Sequence, residues 1–380
     1  MQAKPMRDFA LEVYFSKWEF TAKYNIAGSD GENMTQAALL ELASPEDRAE
    51  FDNVSLGYTE TWGSLALRAE IAKTYETVTP EQLLCFAGAE EAIYTSAQVL
   101  LKPEDHAIVI APNYQSAETV PLSKCEVTAV PLDIEHNWDL DIDRLRAALR
   151  PNTKLISINF PNNPTGKVIS RATLDSIVEI CRSRGLWLFS DEAYRLLERD
   201  PAIRLPQAVD IYERALSLNV MSKAYGLAGL RIGWVACKDR ATLVRFEHFK
   251  HFLSICSSAP SEVLARIALK ARERILTKNV KVVRDNLIVL RDFFAEFPHL
   301  FDWREPEGGC IAFIRYKGKE GVEEFTHKLV EESGVLLLPS SVFRSELATV
   351  PTDCFRIGFG RSHVAKGIEI LRDWLRRNPR

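Results

Sequence analysis

Between residues 83 and 237, seven short apolar runs alternate with longer amphipathic stretches, and this alternation limits the fold more than any other feature of the chain. The runs are LLCFA (83–87), HAIVIA (106–111), CEVTAVP (125–131), KLISIN (154–159), LWLFS (186–190), RALSLNV (214–220) and RIGWVAC (231–237). They are close to continuously apolar, so strands built from them have both faces covered, as in a parallel sheet flanked by helices. EAIYTSAQVLL (91–101) and RATLDSIVEICRSRG (171–185) supply helices between them, the second ending on a glycine C-cap. The expected fold class is α/β: a three-layer α/β/α large domain around a mostly parallel seven-stranded sheet.

Beyond about residue 240 the pattern changes. Residues 261–297 read as one long helical region, followed by strand candidates CIAFIRY (310–316), VLLLP (335–339) and CFRIGF (354–359) with helical segments GVEEFTHKLVEES and AKGIEILRDWLRR among them. This is a smaller α+β C-terminal domain. The expected division is an N-terminal segment 1–45 packing on the small domain and the cleft, a large domain 46–275 and a small domain 276–380. The 380 residues are enough for two cores.

Composition narrows the function. A net charge of −4 recommends no nucleic-acid partner. No apolar run reaches the roughly 20 residues of a membrane span, and the N-terminus has charges where a signal peptide has its apolar core. The seven cysteines form no Cys-x-x-Cys pair, so no metal site is expected and a reduced, cytoplasmic protein is.

Five motifs carry chemistry. In NVMSKAYGLAGLRIGW (219–234), Lys223 follows a strand amid glycines, and Arg231 stands eight residues on. Alone, such a lysine reads as a solvated loop residue and the arginine as a surface one; together, an amine and a guanidinium fork beside a tight turn suit an anionic ligand. In FAGAEEAIY, Gly88, Ala89 and Glu90 lie between a strand and a helix start, where free N–H groups favour a phosphate, although any strand–glycine–helix turn looks alike. FPNNPTGKVI (160–169) is a turn in any reading, and it sets Asn163 at the carboxyl end of the sheet, where α/β proteins bind ligands. In LWLFSDEAYRLL, Asp191 closes a strand with Tyr194 three residues later; the plain alternative is a helix cap. The fifth is Tyr114 in APNYQSA, otherwise a packed tyrosine at a strand end.

In this order and combination the motifs resemble the class I/II aminotransferase family, fold-type I pyridoxal-phosphate enzymes, from about residue 20 to the C-terminus. The resemblance implies pyridoxal 5'-phosphate as cofactor and assigns roles to matching positions. Lys223 forms the Schiff base and shuttles the proton. Asp191 pairs with the ring nitrogen, Asn163 and Tyr194 bond the ring's phenolic oxygen, and Tyr114 stacks on the ring. The turn Gly88-Ala89-Glu90, Ser222 and Arg231 hold the phosphate. Tyr58, in GYTETWGS, reaches the phosphate of a neighbouring subunit, which implies a homodimer with composite sites. Arg356, in CFRIGF, grips the substrate α-carboxylate. Two departures stand out: Val220 occupies a place where serine is common, and Glu90 one where serine, threonine or glutamine is.

The implied reaction is ping-pong transfer of an amino group between an L-amino acid and a 2-oxo acid. The alternatives within the same fold are an arginine-type oxidase or hydroxylase and a carbon–sulfur β-lyase. A ligand-sensing half of a transcription regulator is disfavoured, because no DNA-binding domain fits before residue 40. WEF followed by NIA also resembles the entry segment of pyridoxal-phosphate enzymes that oxidise or hydroxylate arginine. That likeness puts Ile26, Ala27 and Gly28 on the substrate side, with Glu19 or Asp30 as acids for a cationic or polar side chain; two solvated acids are the competing reading.

Overall fold

The structure is a computed structural model that describes residues 5–378. The N-terminal helix Ala10–Trp18 leads into a two-residue strand β1 (Tyr24–Asn25). The seven apolar runs then form β2 (Leu83–Phe86), β3 (His106–Ala111), β4 (Glu126–Pro131), β5 (Thr153–Asn159), β6 (Trp187–Asp191), β7 (Ala215–Val220) and β8 (Gly233–Cys237). They make one sheet in the order β2-β8-β7-β6-β5-β3-β4. All neighbours are parallel except β8, which is antiparallel to both β2 and β7. The link from β7 to β8 carries no α-helix to cross over the sheet, so the chain folds straight back. Successive residues serve opposite faces: Ile108 and Ile110 join one core, Ala107 and Val109 the other. That double burial is why the runs are apolar throughout.

The C-terminal unit is built from β9 (Phe301–Asp302), β10 (Ile311–Tyr316), β11 (Val335–Leu336), β12 (Leu338–Pro339) and β13 (Cys354–Gly358). Four of these form an antiparallel sheet, β12-β13-β10-β9. Two expectations need correction here. The run VLLLP is not one strand: it is cut at Leu337, so that β11 pairs in parallel with β1 while β12 joins the four-stranded sheet. The helical region 261–297 is two helices, Ala259–Lys270 and Arg272–Glu296, bent at Ala271. The first packs on the helices Pro45–Asp52 and Leu65–Ala72, the second on Val364–Arg377, so the bend lets one stretch serve both parts of the molecule. No glycine or proline marks it, because tertiary packing creates it. The N-terminal helix buries Leu11 and Phe15 in the core that holds Val342 and Phe343. With the β1–β11 pairing, this lays residues 10–25 on the C-terminal unit. Among the described residues no helix is long and apolar enough to cross a membrane, and no cluster of three or more metal-ligating side chains occurs.

Candidate active site

The carboxyl ends of the parallel strands open on one cavity, with about 590 Å³ of atom-free space up to and including its mouth. Ala89, Glu90, Tyr114, Asn163, Asp191, Tyr194, Ser222, Lys223 and Arg231 all line it, although they come from segments spread over more than 140 positions of the chain. Asn159, Ile93, Ala193 and Val220 complete the lining. Val220 is buried and offers methyl groups where a serine would offer a hydroxyl.

The loop after β7 places Lys223. Its backbone carbonyl accepts from Gly31 N (3.0 Å) and Gly226 N (3.2 Å), and Asn279 Nδ2 donates to the next carbonyl, that of Ala224 (2.9 Å). Gly226 has φ +68, and a Cβ there would lie 2.1 Å from the Glu32 carbonyl oxygen, so this close crossing requires glycine. Lys223 Nζ donates to Ser29 Oγ at 2.9 Å and lies 5.4 Å from the centre of the Tyr194 ring. Ser29 went unnoticed in the sequence; only the folding of the N-terminal loop over the β7 turn brings it to the lysine.

Asp191 ends β6, in register with Asn159 on β5 and Leu218 on β7. Its Oδ1 accepts from Ala193 N (3.0 Å), but residues 192–197 are not a helix, so it caps none. The residue is half-buried and lines the cavity. Burial raises it to about 6, against the Ala193 hydrogen bond and the Lys223 charge, which both lower it. The next residue, Glu192, points into the protein and accepts from Ala208 N and Ser217 Oγ, each at 2.8 Å, which ties the end of β6 to β7.

Asn163 is held by its own backbone N–H bonded to Asn159 Oδ1 (2.8 Å), and its Oδ1 accepts from Arg356 Nη1 (3.1 Å). The carboxamide oxygen is thereby used, and the amide NH₂ is the group left for a ligand. Arg356, on β13, is only 1% exposed; its Nη2 donates to the Ala27 carbonyl at 2.8 Å and its buried Nε has no partner. Burial pulls its guanidinium down from the usual arginine range. Ala27 is fully buried, and Gly28 is half-buried beside Arg361; neither lines the cavity. Glu19 is half-buried; burial and then the Glu12 charge raise its carboxyl, while Arg361 lowers it. Asp30 must be corrected as a free acid, because it is paired with Arg361 (Nη2–Oδ2 2.6 Å). Tyr58 lies outside the cavity and is 90% exposed.

At the other end of the cavity, Gly88 (φ +91, ψ 179) precedes the helix Ala89–Leu100, whose first N–H groups face outwards from the turn. This backbone region is essentially closed to other residues. A Cβ on Gly88 would come within 2.4 Å of Arg231 Nη2. Gly88→Ala is therefore expected to lose about 1–3 kcal/mol of stability from strain alone and to displace Arg231. Denaturant unfolding checks the first effect; a roughly tenfold weaker cofactor titration checks the second.

These groups fit pyridoxal 5'-phosphate. Among the described residues the buried Tyr194 hydroxyl has no hydrogen-bond partner, a donor stands free at Asn163, and a carboxyl lies at a strand end. Ser222, Arg231 and a helix N-terminus offer a donor set for a phosphate. Lys223 supplies an amine within the same cavity.

The sequence matches the family model for aminotransferase class I and II over residues 28–371. It is 28% identical to capreomycidine synthase of Streptomyces vinaceus, with 99% of this chain and 94% of that protein covered. It is also 28% identical to an arginine–pyruvate transaminase of Pseudomonas aeruginosa, covering 89% and 86% respectively. The crystal structure of a PLP-dependent aminotransferase from Streptococcus suis superposes with a TM-score of 0.92 at 31% identity, over 99% of this chain and all of that one. A match over nine-tenths of the length, on a fold whose cavity already offers the donors for a phosphorylated pyridine aldehyde, places the chain in the class I and II aminotransferases, with pyridoxal 5'-phosphate as its cofactor.

Proposed function

We propose that the protein moves an amino group between an L-amino acid and a 2-oxo acid in a ping-pong cycle, both halves using the one cavity. The observation that carries this reading is the convergence of Lys223, Asp191, Asn163 and Tyr194 on that cavity, with Arg356 bonded to Asn163 at its edge. When bound, the cofactor supplies an aldehyde that exchanges amino groups and a ring that accepts the electron pair left on the substrate α-carbon. Arg356 binds the α-carboxylate, releasing the Ala27 carbonyl or sharing it, and so fixes which α-substituent faces Lys223. Nζ of Lys223, the amine in the cavity, would be the base that takes the substrate's α-proton and later returns it. Asp191, held by its Ala193 bond, would keep a proton on the cofactor's ring nitrogen. Tyr114 and Phe9, whose ring centres lie 4.9 Å apart, shield one side from water.

We further read the donor's side chain as cationic or polar, with Glu19 as the acid that meets it, since Asp30 is committed to Arg361. The experiment is a donor screen: arginine, ornithine, leucine and aspartate, each with a 2-oxo acid, followed through the visible band of the bound cofactor. Absence of amino transfer from every donor would overturn the reaction. Oxygen uptake without a 2-oxo acid, or pyruvate released from cystathionine, would put an oxidase or a β-lyase in its place. Equal rates for all donors, unchanged in Glu19→Ala, would remove the cationic preference alone.

The site reads as one half of a homodimer. Tyr58, Leu56 (85% exposed) and Phe252 (88%) are open on adjoining loops joined by the Thr59 Oγ1 to Ser257 carbonyl bond (2.8 Å). Large apolar side chains exposed together are what a partner surface covers. The solution mass of the full chain tests this. The three-part division at residues 45 and 275 and a cytoplasmic location, suggested by seven free cysteines, are part of the same proposal.

A further inference from the structure

Glu90 is the second residue of the helix that starts at the phosphate turn, and it lines the same cavity as Ser222 and Arg231. Its neighbour Glu91 is fully engaged, with Oε2 accepting from Ala87 N (2.6 Å) and Oε1 from Ser254 N (3.0 Å). Glu90 is not. Its Oε2 is buried without a hydrogen-bond partner, and among the described residues no cation is paired with it. A carboxylate in this place is a conflict. A phosphomonoester carries close to two negative charges at neutral pH, and Arg231 and the helix N-terminus are aimed at an anion that an ionised Glu90 would repel.

The groups that face Glu90 explain how the conflict is resolved. Glu12 comes from the N-terminal helix, Asp191 from the end of β6, Tyr114 from the turn after β3 and Ser116 from the start of the helix that follows it; Arg231, beside the Gly88 turn, and Lys223 line the same cavity. Burial pushes the Glu90 carboxyl up to about 7; the Ser116 hydroxyl draws it back without making a hydrogen bond of ordinary geometry, and the charges of Glu12 and Asp191 push it further up. Already poised near neutrality, this carboxyl is the group that yields when a second anion enters. A protonated carboxyl has one O–H to donate, and such a donor makes a short, strong bond to an anionic oxygen.

We propose that Glu90 is a ligand of the cofactor phosphate in its acid form: binding draws one proton from solvent onto the carboxylate, and the new O–H donates to a phosphate oxygen. Glu90 thus supplies, as an acid, the hydroxyl that a serine or threonine would supply at this turn. The inference rests on cofactor binding alone and not on which reaction follows. Because binding raises the carboxyl further, the bound state holds a proton that the free state has lost above about pH 7. Affinity is therefore full below that pH and falls as pH rises through it, by about tenfold per unit until the bound-state value is reached.

The test is equilibrium titration of the cofactor-free full chain with pyridoxal phosphate at pH values from about 6.5 to about 8.5, for wild type, Glu90→Gln and Glu90→Thr. Ionisations common to all three, including the phosphate's own near pH 6, cancel in the differences. The wild type is expected to weaken with rising pH by about tenfold per unit more than either variant. It should also take up about one more proton per cofactor bound than either at high pH. Pyridoxal, which lacks the phosphate, should erase the difference. Glu90→Thr keeps a hydroxyl donor, so a variant that binds tightly at every pH also answers any doubt about the folding of Glu90→Gln. Coincident pH profiles for all three proteins overturn the inference. So does cofactor binding unaltered in Glu90→Gln together with a raised KM for a cationic amino acid, which would assign Glu90 to the substrate. A wild type that binds no cofactor at any pH would overturn the proposed function as well, and that result is distinct from the others.

Discussion

Replacing Lys223 with alanine is expected to lower amino transfer by about 10⁴-fold or more. General acid–base help from a positioned side chain is worth about 10²–10⁴-fold, and in the proposed function this lysine also provides the covalent hold that presents the cofactor to the incoming amine. The loss will not come from unfolding. Lys223 is half-buried and, among the described residues, has no ion pair and makes one side-chain hydrogen bond, to Ser29 Oγ at 2.9 Å. The turn around it is fixed by backbone bonds that alanine keeps, Gly31 N and Gly226 N to its carbonyl. Single-turnover rates and borohydride labelling of the peptide containing residue 223 check the result. A reducible link that persisted at that peptide, or activity within about tenfold of wild type, would move the anchor elsewhere. A small primary amine added to the variant should restore part of the proton transfer.

The second large effect is at Arg356. Truncation to alanine removes the cation proposed to meet the α-carboxylate and leaves two buried acceptors, the Ala27 carbonyl and Asn163 Oδ1, without their donor. Breaking a buried charge-assisted contact costs about 2–5 kcal/mol, so kcat/KM for the amino donor should fall by about 30- to 5,000-fold, with much of the loss in KM. Lysine should rescue little, because a point charge does not reproduce the bidentate fork. Cofactor titration separates this role from a structural one. Arg356 lies outside the cofactor's lining, so affinity for the cofactor should change far less than KM. A parallel loss of cofactor affinity would mean that Arg356 acts by holding Asn163 in place.

The sheet was legible because burial on both faces writes itself into composition. Six of the seven sheet strands begin and end within a residue of the apolar runs, and the glycine expected at residue 185 does close its helix, with φ +63. Strand direction was not legible for β8, since an apolar run reads alike in either direction. The bend at Ala271 and the division of VLLLP were hidden for a related reason: in both places a continuous local pattern is shared between two packing partners, and only the partners decide where it breaks.

The sequence alone determined the order and chemical types of the cofactor groups, because a lysine after β7, an acid ending β6 and a glycine before a helix are each set by local backbone geometry. It determined the class of fold for the same reason. The tertiary structure decided everything that depends on which charges meet. Asp30 reads as a free acid until Arg361 folds against it, and Ser29 reads as a loop residue until it reaches Lys223 Nζ. Glu90 reads only as an unexpected acid at the phosphate turn until the N-terminal helix, β6 and the Tyr114 turn close around it and raise its carboxyl to about 7. Coulomb and desolvation energies depend on distance through space, and residues 19 to 361, brought to one cleft, have no expression of that distance along the chain.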